Sequence, residues 1–314
     1  MRRVFNQEFT EMNRTAAVVV TYNRKALLEE NIHALLSQEG CELDVLVIDN
    51  ASTDGTGELV RSICDQHQNV IYINTGSNLG GAGGFHFGIK KAMETGRYKY
   101  IWIMDDDCIP TATALEELLG VASELKDQFG FLSSKVLWKD NSICSMNVPR
   151  ETVFKSMKDF SKDLVKVEMA SFVSLFIKTE TVKELGLPIK EFFIWTDDWE
   201  FTRRISLKYE CYWVNKSVVI HKSASNIGAN IYSDSFERLS RYNYLYRNDV
   251  YLYRREGIKG FGYEAIRLIW HSLKVLTSAK DHKKERLKII ITGTKEGLSF
   301  DPSVEYVDNE AAAH

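Results

Sequence analysis

Short apolar runs alternate with segments of helical periodicity along the first third of the chain. The runs TAAVVVT (15–21), LDVLVID (43–49) and VIYIN (70–74) are rich in β-branched residues and end in polar residues, which is typical of strands buried on both faces. Between them, segments such as KALLEENIHALLSQ (25–38) carry leucine and isoleucine at helical spacing. This alternation predicts an α/β domain with a parallel sheet wound by right-handed crossovers.

Polar residues cluster where the predicted strands end. In open α/β sheets, ligands bind beyond the carboxyl ends of the strands. We therefore expect the functional residues in four short segments: 21–24, 49–54, 78–84 and 105–107.

The second half of the chain changes character twice. Residues from about 111 to 187 mix one helical segment with shorter predicted strands, and a strand ending at His221 follows. Beyond about residue 225 the pattern is helical and rich in Arg, Lys, Tyr and Trp. We predict three parts: an α/β domain at 1–225 that carries the functional residues, a helical region at 226–308 for ligand, membrane or oligomer contacts, and a tail with the character of a tag remnant at 309–314.

Composition narrows the class of protein. The 314 residues are 44% hydrophobic, which is ordinary for a globular protein. The net charge of −3 does not produce a positive electrostatic field that would attract nucleic acid. No run approaches the roughly 18 apolar residues of a spanning helix, and the chain start lacks the apolar core of a signal peptide. Five scattered cysteines indicate reduced thiols. We therefore expect a cytoplasmic protein.

Three consecutive carboxylates, Asp105, Asp106 and Asp107, end the apolar run KYIWIM. An acidic run is often only a solvated turn, but charges crowded at the end of a buried strand repel each other unless a cation lies against them. Carboxylate oxygens suit Mg²⁺ or Mn²⁺, which also bind phosphate oxygens. The run therefore favours a divalent cation that bridges a diphosphate. A histidine at a strand end, His221, is a further candidate ligand, although such a residue is often structural.

A glycine-rich segment, SNLGGAGGFHFG, contains Gly80, Gly81, Gly83 and Gly84 after the third predicted strand. It lacks the Lys-Ser/Thr of a P-loop. A plain flexible loop is one interpretation. The other, which its position before a helix favours, is that the backbone comes close to a ligand here.

The segment WTDDWEF places Asp197, Asp198 and Glu200 among aromatic residues that include Trp195 and Trp199. Carboxylates in such surroundings are desolvated and repel each other, so the pKa of at least one rises and a general base becomes feasible. Ion pairing with the arginines that follow is the alternative. Aromatic rings beside carboxylates also suit a sugar acceptor.

Five motifs in this order, VVVTYNR, VLVIDNASTDGT, NLGGAGGFHFGI, IWIMDDDCIP and FFIWTDDWEFTRR, resemble the inverting glycosyltransferases of family 2, which have a GT-A fold. The resemblance covers about residues 15–225. The glycine segment, the aspartate run and the last motif look most like bacterial galactofuranosyltransferases that use UDP-galactofuranose. Rhamnosyltransferases that use dTDP-rhamnose share much of the pattern, so both donors stay open.

The resemblance implies roles for the matching positions. It implies nucleotide contacts from Thr21, Asn23, Arg24 and Asp49, a ribose contact from Asp106, and diphosphate and sugar contacts from Asn78, Gly80, Gly81 and Gly83. It implies a metal, Mn²⁺ or Mg²⁺, on Asp105 and Asp107 with help from His221. It also implies Asp198 as catalytic base, with Asp197 and Glu200 orienting acceptor hydroxyls.

The expected partners are a nucleotide sugar and a glycan or lipid-linked glycan. The basic, aromatic residues beyond 225 indicate contact with anionic lipid on the inner face of the cell membrane, packing against the catalytic domain, or a homo-oligomer. A non-catalytic nucleotide-sugar-binding scaffold is a further alternative, but it would need no base.

Overall fold

The computed structural model describes residues 14–307. The expectations for the chain start and for the tail at 309–314 fall outside this range.

Within the described residues, nine strands form one mixed sheet with the order β3-β2-β1-β4-β10-β6-β11-β5, and β9 pairs with β11. The strands are β1 Thr15–Thr21, β2 Leu43–Asp49, β3 Val70–Asn74, β4 Tyr100–Asp105, β5 Cys108–Pro110, β6 Phe131–Trp138, β9 Leu164–Lys166, β10 Leu175–Lys178 and β11 Tyr212–His221. A separate hairpin joins β7 Arg150–Thr152 to β8 Lys155–Ser156.

The helices flank the sheet and then form a C-terminal layer of their own. They are α1 Lys25–Leu36, α2 Thr56–Cys64, α3 Gly80–Glu94, α4 Ala114–Glu124, α5 Thr179–Leu185, α6 Asp197–Ser206, α7 Tyr242–Arg254, α8 Gly257–Ser278 and α9 Lys283–Ser299. The predicted α/β architecture with a C-terminal helical region is confirmed.

The first four strands are parallel, as predicted, but the second half of the sheet is mixed. Strand β10 runs antiparallel to both β4 and β6. Parallel neighbours need a long crossover, usually a helix, whereas the segment between β6 and β10 contains only short strands and a single 3₁₀ turn. The chain can therefore re-enter the sheet in the opposite direction.

Alternate residues of the central strands supply two apolar layers, because successive side chains of a strand point to opposite faces. On one face Val19 and Trp102 pack with Leu28 of α1. On the other face Val18 packs with Ile89 of α3. The buried sheet thereby fixes the positions of the loops at its carboxyl edge.

The C-terminal helices form their own core around Tyr242, Tyr246 and Ile290. Ion pairs connect this region to the sheet domain. Arg203 Nε of α6 donates to Glu256 Oε1 at 2.7 Å, for example. Within residues 14–307, no helix combines the length and the apolar content needed to cross a bilayer.

Candidate active site

A cavity of about 910 Å³ lies at the carboxyl ends of β1 and β4. Its walls include the end of β1, the β4–β5 turn, the start of α3, the segment that leads into α6, and helices α7 and α8, together with residues 145–148, 171–173 and 221–229 in part. The sheet domain and the C-terminal helices therefore share one cavity.

Three potential metal ligands meet at one end of this cavity. One atom each from Asp105, Asp107 and His221 lies within 4.8 Å of the others. The two carboxylates flank the turn between β4 and β5, and β11 brings His221 there because it pairs with Cys108 of β5. The predicted association of these three residues is thus present in the structure.

The surroundings of this group fit a divalent cation. His221 Nε2 lies 3.1 Å from Asp107 Oδ1, yet no donor in the described part of the chain completes a well-directed hydrogen bond to that buried oxygen. On its other side His221 Nδ1 lies 2.8 Å from Asn147 Oδ1, which orients the ring. Two carboxylates and an oriented imidazole form a reasonable ligand set for a divalent ion.

The neighbours of each aspartate set its pKa. Burial, reinforced by the charge of Asp107, raises the pKa of Asp105 to about 6. Burial raises the pKa of Asp106 to about 7, although Arg24 opposes the shift. Burial would also raise the pKa of Asp107, but its interactions with His221 and Arg24 outweigh it and lower the pKa. Without another cation nearby, ionising all three carboxyls is therefore unfavourable.

Thr21 and Arg24 lie beside the aspartates, whereas two other predicted nucleotide contacts do not line the cavity. Thr21 Oγ1 donates to Asp106 Oδ2 at 2.8 Å, and Arg24 pairs with Asp107. Asn23 Oδ1 accepts from the backbone amide of Thr53, and Asp49 is fully buried with Oδ2 2.6 Å from the Tyr72 hydroxyl. The structure therefore places Asn23 and Asp49 as supports of the loops rather than on the cavity surface.

The glycine segment forms the start of helix α3, so the plain-loop interpretation is wrong, and the helix begins earlier than its predicted start after the glycines. Gly80 and Gly81 line the cavity, and Asn78 Oδ1 accepts from the Gly80 amide at 2.9 Å. Gly80 has φ +73°, and a Cβ there would lie 2.2 Å from the carbonyl oxygen of Phe193. Gly83 does not line the cavity, and a Cβ at that position would lie 2.7 Å from Leu79 Cβ.

Asp197 and Asp198 are the first residues of α6 and line the cavity. Burial, with the charge of Asp105 adding to it, raises the pKa of Asp197 to about 7. Burial and the adjacent Asp197 raise the pKa of Asp198 well above its usual range. A carboxylate in this state is a stronger proton acceptor than one in water.

Glu200 lies apart from this pair. Its two oxygens accept from Arg204 at 3.0 and 2.9 Å, and it does not line the cavity. The alternative considered from the sequence, an ion pair with a following arginine, is thus the one the structure shows for Glu200.

Both tryptophans of this segment line the cavity. The Trp199 ring lies under the Arg150 guanidinium at 4.7 Å, and the Trp195 ring centroid lies 5.0 Å from that of Tyr242. Both rings thus belong to the same cavity wall as the two carboxylates.

Sequence reasoning missed several residues of the cavity wall. Four basic or imidazole side chains of the C-terminal region line the cavity: Arg238 and Arg241 from a 3₁₀ helix that precedes α7 (Phe236–Arg241), and Arg267 and His271 from α8. The basic composition of that region was visible in the sequence, but nothing in its spacing indicated that it faces the aspartates.

Comparison with known proteins agrees with this geometry. Residues 16–163 match the family model "Glycosyl transferase family 2". The chain is 28% identical over 206 residues to a protein of Mycolicibacterium smegmatis named galactofuranosyltransferase GlfT1, an alignment that covers 60% of this chain and 64% of the relative. The chain therefore spans a little under two thirds of that relative's length.

Solved structures show the same fold at low identity. Staphylococcus aureus TarS superposes with a TM-score of 0.55 at 16% identity, covering 92% of this chain and 44% of that one. GalNAc-T7, solved with UDP, GalNAc and Mn²⁺, superposes with a TM-score of 0.56 at 15% identity over 68% of this chain and 44% of its own. Residues 16–163 thus match family 2 of the glycosyltransferases, and the chain has a GT-A fold.

Proposed function

We propose that this protein is a metal-dependent inverting glycosyltransferase that moves a sugar from a nucleotide sugar to a glycan or lipid-linked glycan in bacterial cell-surface polysaccharide synthesis. The observation that carries the proposal is that one cavity contains both the cluster of Asp105, Asp107 and His221 and the carboxylate of Asp198, whose pKa is raised. A cation site and a proton acceptor are the two groups that direct sugar transfer needs.

The donor occupies the sheet side of the cavity in this proposal. Thr21, Arg24 and Asp106 contact the nucleotide, with Asp106 toward the ribose. Asn78 and the backbone at Gly80 and Gly81 lie against the diphosphate and sugar. Space for this approach is present at Gly81, because no atom of residues 14–307 lies within 4 Å of a Cβ built there. Asn23, Asp49 and Gly83 act indirectly by holding these segments.

The chemical step is a single displacement. Asp198 accepts the proton of an acceptor hydroxyl while that oxygen forms a bond to the anomeric carbon. The bond from the anomeric carbon to the diphosphate breaks at the same time, and its electron pair leaves with the diphosphate. Asp197 orients the acceptor hydroxyl, and Trp195 and Trp199 stack on the acceptor sugar. One displacement inverts the anomeric configuration.

Asp105, Asp107 and His221 would hold the metal, Mn²⁺ or Mg²⁺. Bound there, the cation would neutralise part of the charge that develops on the departing diphosphate.

The donor is UDP-galactofuranose in this proposal, which the name of the mycobacterial relative and the motifs near Asp105 and Asp198 support. At 28% identity the same fold can serve another sugar. A dTDP-rhamnose rhamnosyltransferase, or another hexosyltransferase of family 2, is the runner-up.

A donor panel tests the proposal. Purified protein is incubated with UDP-galactofuranose, UDP-galactopyranose, UDP-glucose or dTDP-rhamnose, with Mn²⁺ and a lipid-linked galactose or rhamnose acceptor. We expect product from UDP-galactofuranose, loss of product with EDTA, and a kcat about 10²–10⁴-fold lower in Asp198→Asn. Asp163→Asn, which changes an exposed aspartate outside the cavity, is the matched control and should match the wild type.

The possible outcomes test the donor, the catalytic base and catalysis itself separately. Product from dTDP-rhamnose alone would keep the mechanism and replace the donor. Equal activity in Asp198→Asn and wild type would exclude Asp198 as the base. Binding of UDP without turnover on any donor and acceptor would favour the nucleotide-sugar-binding scaffold.

We also propose that the protein works in the cytoplasm, on the inner face of the cell membrane. The outward side of α8 supports this: Ile266, Ile269, Trp270 and Leu273 have exposed fractions of 51–71%. On the inward side of the same helix, Arg267 and His271 line the cavity. A helix lying in the headgroup region would thus place the cavity next to a lipid-linked acceptor.

A further inference from the structure

The segment that leads into the two cavity carboxylates has an unusual backbone. Phe193, Trp195 and Thr196 have φ values of +64°, +65° and +67°. Bulky residues rarely adopt positive φ, because the Cβ atom then crowds the backbone. Such a conformation persists only where surrounding groups impose it. The residues that impose it therefore also determine where Asp197 and Asp198 lie.

Asn248 is a buried residue of α7, and its side-chain amide lies against this segment. Its Nδ2 lies 3.0 Å from the carbonyl oxygen of Phe192, 3.2 Å from that of Ile194 and 2.9 Å from that of Trp195. These three distances join one side-chain amide to three carbonyl groups along the strained segment. The amide can thus hold the path of the chain immediately before α6.

The orientation of the Asn248 amide is fixed from its other side. Arg247 Nε donates to Asn248 Oδ1 at 3.0 Å. An amide turned the other way would place its NH₂ group against the guanidinium and its oxygen against the three carbonyls. The arginine therefore keeps the donor end directed at the segment.

Asp249 provides a second attachment at the same place. Its Oδ1 accepts from Thr196 Oγ1 at 2.6 Å, and its Oδ2 pairs with Arg267 of α8 at 2.6 Å. The start of α3 provides a third attachment, because the Ala82 amide donates to the Phe193 carbonyl at 3.2 Å. The strained segment is thus held between α3 and α7.

We propose that Asn248 is a positioning residue that holds residues 193–196 in their strained conformation and so places Asp198 for proton transfer. The proposal rests on the proposed function, because it takes Asp198 as the base. Asn248 itself does not line the cavity and touches no substrate in this account.

The test compares Asn248→Ala with Asn243→Ala. Asn243 is on the same helix, and its side-chain amide donates only to Ser240 among the hydrogen bonds of the described residues, so the control removes the same group without touching the segment. We expect kcat to fall about 10–100-fold in Asn248→Ala, because a displacement of roughly 1 Å at a reacting group has such an effect. The KM for the nucleotide sugar and the Kd for UDP with Mn²⁺ should change less than about threefold.

Hydrogen exchange gives a readout that does not depend on turnover. In Asn248→Ala the amides of a peptide covering 192–200 should exchange at least tenfold faster, while those of β1 and β4 keep their wild-type rates. A general loss of stability would instead speed exchange throughout the sheet. Wild-type exchange at 192–200 together with wild-type kcat would overturn the proposal.

A second variant keeps the test valid if Asn248→Ala does not fold. Asn248→Asp has the same shape but replaces the donor with an oxygen that faces three carbonyls, so it should also speed exchange at 192–200 and lower kcat. If the wild type transfers no sugar, the proposed function fails. Faster exchange at 192–200 in the variants would then still show that Asn248 holds the segment, and the loss of its catalytic role would follow from the failed function.

Discussion

The three consecutive aspartates differ because their neighbours differ. Burial raises the pKa values of Asp105 and Asp106 to about 6 and 7, whereas interactions with His221 and Arg24 lower that of Asp107. For Asp105 and Asp106 the folded protein binds protons more tightly than the unfolded chain does. Their ionisation therefore reduces stability as pH rises from about 4 to about 7.

A divalent cation should offset this loss, because it binds the ionised carboxylates. We expect Mn²⁺ to raise the melting temperature more at pH 8 than at pH 5, by roughly 3 °C or more. Differential scanning fluorimetry with Mn²⁺ or EDTA at the two pH values measures the difference.

Asp105→Asn should reduce the Mn²⁺ effect at pH 8, and the surface variant Asp163→Asn should keep it. The same metal-induced shift at both pH values, or an unchanged shift in Asp105→Asn, would argue against a cation at this site.

Sequence reasoning at this scale identified residue types better than side-chain directions. Asp198 lines the cavity as expected, but Glu200 does not. Residues two apart on a helix point roughly 200° away from each other, so both cannot face the same cavity. Had helix α6 been predicted to begin at Asp197, Asp198 and Glu200 would have been assigned to different sides of it. The motif was instead interpreted by its aromatic residues, and the helix start was not identified.

At the scale of elements, the glycines of α3 serve close packing as much as ligand access. A Cβ at Gly88 would lie 2.5 Å from Val18 Cγ1 and 2.7 Å from Ile48 Cγ1. At Gly84 it would lie 2.6 Å from Val20 Cγ1. Helix α3 therefore lies closer to β1 and β2 than a helix with side chains at these positions could.

Gly88→Ala should destabilise the protein by about 1–3 kcal/mol, because the added methyl group has no space. Gly120→Ala is the matched control. It changes an exposed glycine inside α4 where no atom of residues 14–307 lies within 4 Å of the new Cβ, and it should stabilise by about 0.5–1 kcal/mol. Urea unfolding measures both. A neutral Gly88→Ala would mean that α3 can move away from the sheet without loss.

The glycine run also explains why the start of α3 was not predicted from the sequence. Glycine has a low helix propensity, so four glycines in five residues favour a loop locally. Contact with the sheet outweighs this preference in the folded protein, and no local pattern reports that contact.

At the scale of the molecule, α8 has two different surfaces. Its exposed side carries large apolar residues. Of the four charged residues of this helix, Lys259 is the one that is exposed. Glu264, the acidic residue of the helix, is buried and pairs with Arg267. An exposed apolar side without acidic groups suits an anionic lipid surface.

The protein should bind vesicles of phosphatidylcholine and phosphatidylglycerol in a co-sedimentation assay. The double variant Ile266→Glu with Trp270→Glu should weaken this binding roughly tenfold or more, since it removes two apolar side chains from the interface and adds two negative charges. Transfer to a water-soluble acceptor should be unchanged.

Leu207→Glu is the matched control, because Leu207 is 68% exposed but lies at the end of α6. If the wild type does not bind vesicles and forms a dimer that the double variant disrupts, the exposed side of α8 is a subunit interface instead.

The parallel first half of the sheet could be predicted from the sequence because each strand and helix has a recognisable hydrophobic pattern within its own residues. The antiparallel insertion of β10 and the packing of α7 and α8 over the cavity depend on contacts between residues far apart in the chain. Asp249 of α7 and Asp197 line the same cavity, for example, although they lie 52 positions apart in the chain. The predicted division near residue 225 stays a prediction.

The contact of Asn248 and Asp249 with the segment before α6 limits which parts of the chain can be exchanged with a related protein, by engineering or in evolution. A chimera that exchanged the C-terminal helices for those of a relative would also replace the groups that shape residues 193–196. Exchange of acceptor specificity would therefore require that segment and α7 to be transferred together. For the same reason, a fragment ending near residue 225 would retain Asp105, Asp107 and Asp198 without the α7 side chains that hold residues 193–196.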